Sequence, residues 1–234
     1  FDTGLSDGLW LFEDNQIICN SAYFKDVLGK GLSGDIFGKK SRVKQLKLDN
    51  FILKEALVSY PDTTFTVNKQ KVIDRKGSLG GEVIKRFNWI IDYKNQKMYY
   101  EKNENYYLPF NYNMSGISIQ QVGYQILSES FSNSYITKED IFEKSFENPF
   151  KRKESRYQYY PLYEIYALRK NSPAFRAGLQ LGDRIILING KSSKKYDIQK
   201  ITDLFQSEEG KLITIEVDRK GKILKFKFKL EKIL

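Results

Sequence analysis

The sequence contains no histidine and a single cysteine, Cys19. Without histidine, the chain cannot build a Ser-His-Asp triad, a Cys-His dyad or a His-ligated metal centre from its own residues. With one cysteine it forms no internal disulfide. Cys19 says little about compartment, because most such cysteines behave as small buried hydrophobes. No apolar run approaches the roughly 18 residues that span a bilayer, so no membrane span is expected in this chain. The glycine-rich stretch Gly29–Gly38 is not followed by Gly-Lys-Ser/Thr in the frame of a phosphate-binding loop. No metal and no cofactor is expected. For a hydrolase, carboxylates are the chemistry left.

What is present is a chain of 234 residues, long enough for one large or two small domains with a real core. Tyrosine and phenylalanine, 16 of each, supply that core. The net charge of +10 raises nucleic acid and anionic membranes as partners. Against them, the lysines are scattered, apart from Lys151-Arg152-Lys153, and several alternate with apolar residues, as at Lys225, Lys227 and Lys229. That alternation reads as a solvated strand face with edge protection, and no nucleic-acid partner is expected.

The first motif is Asp2-Thr3-Gly4, followed by Leu5-Ser6 and an apolar run Leu9-Trp10-Leu11-Phe12. Gly4 permits a tight turn and Thr3 offers a hydroxyl to its backbone. Downstream come the glycine-rich segment with Gly31, Leu32, Ser33 and Gly34, a run of strands from Ser41 to Val67 with Pro61-Asp62 as a turn, and Leu79-Gly80. Val83, Ile84 and Phe87 then sit at helical spacing, and a strand and hairpin end at Asp92-Tyr93 and Met98-Tyr99-Tyr100. This order resembles one lobe of an aspartic protease. The resemblance implies that Asp2 is a catalytic carboxylate within Asp2-Thr3-Gly4. It implies that Gly31, Leu32, Ser33 and Gly34 tip a mobile flap over the substrate, and that Leu79-Gly80 passes close to the acid. Two positions depart from the pattern: Ser78 stands where an apolar residue is usual, and Leu5 where a hydroxyl often supports the acid.

Aspartic-protease chemistry needs two carboxylates sharing a proton, and they titrate as a unit. The chain holds one Asp-Thr-Gly, and Asp7 lies too near Asp2 in sequence to be its mate. The second acid is expected from a missing N-terminal lobe or from a homodimer partner. Only Phe1 precedes Asp2 and there is no initiator Met, so the sequence reads as a fragment, inactive alone.

The second half carries Ser172-Pro173-Ala174, Ala177-Gly178-Leu179, Gly182-Asp183-Arg184-Ile185 and Asn189-Gly190. Ser172 is placed to cap a helix with Pro173 at its first position, Gly178 to end it, and Asn189-Gly190 to turn a hairpin. A helix with Ile198, Ile201, Leu204 and Phe205 on one face follows. Strands then run through Leu212, Ile213, Ile215 and Val217, and through Leu224, Phe226, Phe228 and Leu230. This is similar to the PDZ domains attached to bacterial proteases. The resemblance implies peptide capture by strand addition, with backbone amides holding a terminal carboxylate. The groove is expected between Gly116, Ile117, Ser118 and Ile119 on one side and Ile198 and Ile201 on the other. Those apolar residues also fit a plain core.

The expected fold is mainly β. Residues 1–110 form half of an acid-protease-like β-barrel. Residues 111–234 form a PDZ domain, a β-sandwich or barrel with two helices and an insertion at about 123–160. That insertion includes a helix-like piece from Thr137 to Phe142. The expected function is peptide-bond hydrolysis on a peptide or protein substrate, with PDZ binding of peptide. The alternative is a non-catalytic peptide-binding protein whose first lobe is a degenerate scaffold. By analogy with bacterial proteases that carry PDZ domains, the setting is the cell envelope, periplasmic or secreted.

Overall fold

The computed structural model describes residues 1–19, 22–31, 34–62, 75–131 and 154–234. Its first sheet starts from β1 (Leu9–Leu11), β2 (Tyr23–Gly31), β3 (Gly34–Leu48), β4 (Phe51–Pro61) and β5 (Gly77–Leu79). The order across this sheet is β2-β3-β4-β1-β5, with β1 parallel to β4 and antiparallel to β5. β2 and β3 form the glycine hairpin, closed by pairing of Gly31 with Gly34. Gly34 takes φ +116° there, a conformation that glycine adopts without strain. Leu32 and Ser33 lie outside the described residues.

The expected half-barrel is corrected. The first sheet is open among the described residues, because β2 and β5 stand at its opposite edges and do not pair. Closure requires every strand to have two neighbours, and the three-residue β1 and β5 are too short to carry a seam. The chain turns at Asp49-Asn50 between β3 and β4, and Pro61 is the last residue of β4 rather than part of a turn.

After β5 a single helical turn, α1 (Gly81–Ile84), leads into the hairpin β6 (Phe87–Asp92) and β7 (Lys97–Lys102). Phe87, placed on the helical face by its spacing, opens the strand instead. It packs among the rings of Phe51, Trp89, Tyr100 and Tyr106. Arg86 is fully buried. It donates to the carbonyls of Glu82, Asn105, Tyr106, Leu108 and Pro109, and its guanidinium lies 3.7 Å from the Phe110 ring centroid. One planar cation thus satisfies the carbonyls of an irregular segment that has no sheet partner.

The second sheet comprises β8 (Ile117–Phe131), β9 (Glu154–Leu168), β10 (Arg184–Ile188), β11 (Lys191–Ser192), β12 (Leu212–Arg219) and β13 (Lys222–Lys229), in the order β13-β12-β10-β9-β8 with β11 on β10. β8 and β9 pair from Ile117↔Leu168 out to Phe131↔Glu154. The described parts of the 123–160 insertion are therefore the arms of a long hairpin. Thr137 to Phe142 lie outside the described residues.

Local signals hold in this half. Ser172 Oγ accepts from the N–H of Phe175 at 3.2 Å and caps α2 (Pro173–Arg176). Asn189 and Gly190 both take positive φ at the β10–β11 turn. Asp197 Oδ1 accepts from the N–H of Lys200 at 2.7 Å and starts α3 (Ile198–Phe205). Ile213, Ile215 and Val217 alternate inward along β12 and are fully buried. A continuous buried cluster joins the two halves, running from Leu57 and Phe24 through Tyr112 and Met114 to Ile165 and Ile215.

Candidate functional site

The acid loop is strapped to the β5–α1 crossing by its backbone. The N–H of Asp2 donates to Leu79 O at 2.9 Å, Gly80 N–H to Gly8 O at 2.9 Å and Gly81 N–H to Leu5 O at 2.7 Å. Gly80 is required at this approach: a Cβ there would fall 2.2 Å from Asp7 O and 2.8 Å from Leu5 Cγ. Leu5 is buried against that crossing, so a side chain that does not support the acid instead fixes the loop by packing. Ser78, also buried, has its Oγ bonded by Arg75.

Asp2 is half-buried and Thr3 exposed. The Asp2 Oδ1 accepts from the N–H of Gly4 at 3.1 Å, and no bond from Ser6 or from the Thr3 hydroxyl reaches it among the described residues. A carboxylate offers about four acceptor sites, so most of its capacity is unused. Phe1 is exposed and stands edge-on to Trp89, with centroids 4.8 Å apart. Gly31 and Gly34 are paired at the end of the described part of the β2–β3 hairpin.

Sequence reasoning set Asp7 aside, yet it anchors a charged network behind the loop. Lys40 Nζ lies 2.7 Å from Asp7 Oδ1, while Trp10 Nε1 (2.9 Å) and Ser59 Oγ (2.7 Å) donate to Oδ2. Burial pushes the Asp7 carboxyl up, but the charge and hydrogen bond of Lys40 and the bonds from Trp10 and Ser59 outweigh it and hold it below its ordinary value. Burial likewise lowers Lys40, and the charges of Asp7 and Asp26 together with the Asp7 hydrogen bond more than reverse that. Lys40 and Ser59 are cross-strand partners in the β3–β4 pairing. Only that long-range register brings them to Asp7.

In the second half, β8 is an edge strand of its sheet. Ile117 and Ile201 are buried in the common core. Ile119 is partly buried and packs against that core, and Ile198 is 43% exposed. Gly116 takes φ +80°, and a Cβ on it would meet the Ser172 Cβ at 2.2 Å. The loop before β8 therefore packs directly on the Ser-Pro-Ala turn, and Ala174 N–H donates to Ser115 O at 3.2 Å.

That loop is closed by its own side chains. Asn113 Oδ1 accepts from Ser115 N (3.0 Å), Gly116 N (3.1 Å) and Ser115 Oγ (2.7 Å). Asn113 Nδ2 donates to Ile117 O at 2.6 Å, and Ile117 N–H donates to Ser115 Oγ at 3.0 Å. Arg169, buried on the other side, donates to Asn113 O from both terminal nitrogens and pairs with Asp26 of β2 at 2.9 Å. No group of three or more His, Cys, Asp or Glu placed to hold a metal occurs among the described residues. No helix among them is long and apolar enough to cross a membrane.

No curated protein matches the sequence. Two solved structures similar to the chain are of an HtrA-type protease. One, titled HtrA-type protease AlgWS227A with decapeptide, is 22% identical over 30% of this chain and 21% of that chain, with a TM-score of 0.28. The other, titled HtrA-type protease AlgW with decapeptide, is 11% identical over 84% of this chain and 49% of that chain, with a TM-score of 0.31. This chain thus spans half or less of either structure's length, and at such TM-scores neither likeness carries an argument about the whole molecule. The family model for the PDZ domain matches residues 164–219, from within β9 to the end of β12. The loop of Asn113 and the strand β8 precede the matched segment but are bonded into it. Within a mainly β chain of several sheets, residues 164–219 are a PDZ domain.

Proposed function

We propose that this chain is one half of an aspartic-type peptide hydrolase joined to a PDZ domain that binds peptide. The domains run over residues 1–110 and 111–234. The observation that carries the first part is the strapping of Asp2-Thr3-Gly4 onto Leu79-Gly80, which leaves a carboxylate with unused acceptor capacity at the surface. A second carboxylate, from another lobe or from a second copy of this chain, would share a proton with Asp2. Two like charges about 3 Å apart cannot both ionise. The ionised member takes a proton from a water held between them, and the protonated member gives one to the scissile carbonyl oxygen. The β2–β3 hairpin closes over the substrate and excludes water. The PDZ groove between β8 and α3 holds an extended peptide for cleavage.

The test is hydrolysis of a mixed decapeptide library, with pepstatin binding measured alongside, over a range of chain concentrations. A rate that grows with the square of concentration and is lost in Asp2→Asn identifies a second copy as the source of the other acid. Inactivity of the isolated chain, with activity and pepstatin binding restored by a separate lobe carrying its own Asp-Thr-Gly, identifies that lobe. Hydrolysis untouched by Asp2→Asn would sink the proposal. A second reading, a peptide-binding protein with a degenerate first lobe, is favoured by one observation: Leu5 stands where a hydroxyl would support Asp2, and among the described residues Gly4 supplies the one bond the acid receives. Pepstatin binding by the assembled protein rejects it.

A further inference from the structure

PDZ recognition of a chain end rests on consecutive backbone amides converging on a carboxylate oxygen. Ahead of β8 the amides in that position are those of Ser115, Gly116 and Ile117. None is free. Asn113 Oδ1 sits between the first two at 3.0 and 3.1 Å and takes the Ser115 hydroxyl at 2.7 Å. Ser115 Oγ, so oriented, receives the Ile117 amide at 3.0 Å. The other end of the carboxamide occupies Ile117 O, so both backbone groups of the first residue of β8 are engaged by the loop. The arrangement is rigid at its root: Ser115 is fully buried, and the buried Arg169 grips Asn113 O with both terminal nitrogens while pairing with Asp26.

We infer that Asn113 is a specificity-determining residue of the PDZ groove: its carboxamide stands where a peptide's terminal carboxylate would bind, so the groove takes internal extended segments and does not select chain ends. The inference rests on the peptide-binding reading of the PDZ domain. A free carboxylate entering this loop must displace the Asn113 acceptor from the Ser115 and Gly116 amides and Ser115 Oγ from the Ile117 amide, and the displaced carboxamide then loses its own bonds. An internal segment has no terminal charge to place. It adds to the β8 edge beyond Ile117, beside Ile119 and Ile198. Internal recognition suits a protease-linked domain, since a loop of an intact protein has no free end.

The experiment uses the whole chain and one pooled library of fluorescein-labelled decapeptides with apolar last residues, made twice, with a free C-terminal carboxylate and with a C-terminal amide. Fluorescence polarisation gives the affinity ratio of the two forms. Wild type is expected to bind both equally. Asn113→Ala vacates the amides and should favour the free acid about tenfold, since charge-assisted hydrogen bonds contribute roughly 1.5–3 kcal/mol and 1.4 kcal/mol is tenfold. Asn113→Asp keeps an acceptor on the same donors and adds a repelling charge, so it should favour the amide form. That variant preserves the test if Asn113→Ala does not fold. A wild-type preference of about fivefold or more for the free acid, or an unchanged ratio in both variants, overturns the inference and leaves peptide binding standing. Failure of both library forms to bind wild type and variants overturns peptide binding and the inference with it.

Discussion

The loop of Asp2 and the loop of Asn113 use one device and end in opposite states. In each, a short polar side chain folds back on the amide two residues ahead: Asp2 onto Gly4, Asn113 onto Ser115. Asn113 goes on to the amide of Gly116 and the Ser115 hydroxyl, and its nitrogen is used as well. Asp2 stops after one bond although it is the stronger acceptor. The difference is one of supply. The acid loop is fixed from below by backbone straps and by Leu5, which hold its course without touching the carboxylate. The cradle loop is fixed through the side chain itself. A site built the first way is completed by something from outside; a site built the second way is complete and must be opened.

The largest effect expected from breaking this contrast falls on Asp2. In the assembly proposed as a hydrolase, Asp2→Asn should lower kcat/KM by about 100- to 10,000-fold, the range for losing a positioned acid or base. Because the carboxylate holds so little of the loop, the same variant should change the unfolding free energy by less than about 0.5 kcal/mol. Thermal unfolding beside kinetics reads both. A large loss of stability would mean that the acid is structural.

Asp7 is predicted to behave in the reverse way. Asp7→Asn leaves Lys40 half-buried without its counter-charge and weakens the bonds to Trp10 and Ser59. Breaking a buried pair by removing one partner costs about 3–5 kcal/mol. The side chains here keep 12% and 17% exposure, so about 3 kcal/mol is expected, or a fall in Tm of roughly 6–12 °C for a chain of this size. The pH dependence follows from the directions of the shifts. The Asp7 carboxyl is depressed in the fold, so its stabilisation is present above its ordinary value of 3.8 and is lost as pH falls through the lower folded value. Lys40 is raised, so its share persists below its ordinary 10.5 and is lost as pH rises through a still higher value. Wild type should therefore lose stability more steeply than Asp7→Asn below about pH 4. Parallel acid-unfolding curves would remove Asp7 from its role as anchor.

These two acids also mark what was legible in the sequence. The crossing of the Asp2 loop by Leu79-Gly80 was readable because both stretches are local motifs, Asp-Thr-Gly and Leu-Gly, each with its own turn chemistry. The Ser172 cap, the Asn189-Gly190 turn and the alternation in β12 were readable for the same reason. The Asp7 network was not: besides Trp10, its partners lie 33 and 52 residues away, and only the β3–β4 register sets Lys40 beside Ser59. Arg86 would pass for one more solvated cation until the fold surrounds it with carbonyls. Asn113 is in sequence one more asparagine in an irregular stretch, and nothing local says where its carboxamide goes. The half-barrel failed because strand count and patterning do not say whether the two edges meet.

One side chain ties the Asn113 loop to the first sheet: Arg169 bonds Asn113 O and pairs with Asp26 on the hairpin that carries Gly31 and Gly34. Its Nε finds no acceptor among the described residues, so its worth lies in the forked terminal nitrogens. Lysine cannot reproduce that fork. Arg169→Lys should cost about 1–2 kcal/mol and speed hydrogen exchange at the Ser115 and Gly116 amides, while the Gly4 amide stays as it was. Equal acceleration in both loops would show that the contrast between them is not local.

The smallest effect is the sharpest check on the openness of the acid loop. Thr3 is exposed, and its hydroxyl makes no hydrogen bond among the described residues, although a threonine in such a turn commonly bonds nearby backbone. In the chain by itself, Thr3→Ala removes a solvated group and a methyl that nothing covers. Unfolding free energy should move by less than about 0.5 kcal/mol, the scale of surface substitutions away from special features. On the proposed reading the same change in the assembly meets a different surface, because whatever brings the second carboxylate must come within a few ångströms of this turn. A Thr3→Ala effect that appears only on assembly, read as weaker association at unchanged stability of the separate chain, is what an unfinished site predicts. A loss already present in the chain alone would mean that the turn is closed on itself, as the Asn113 loop is.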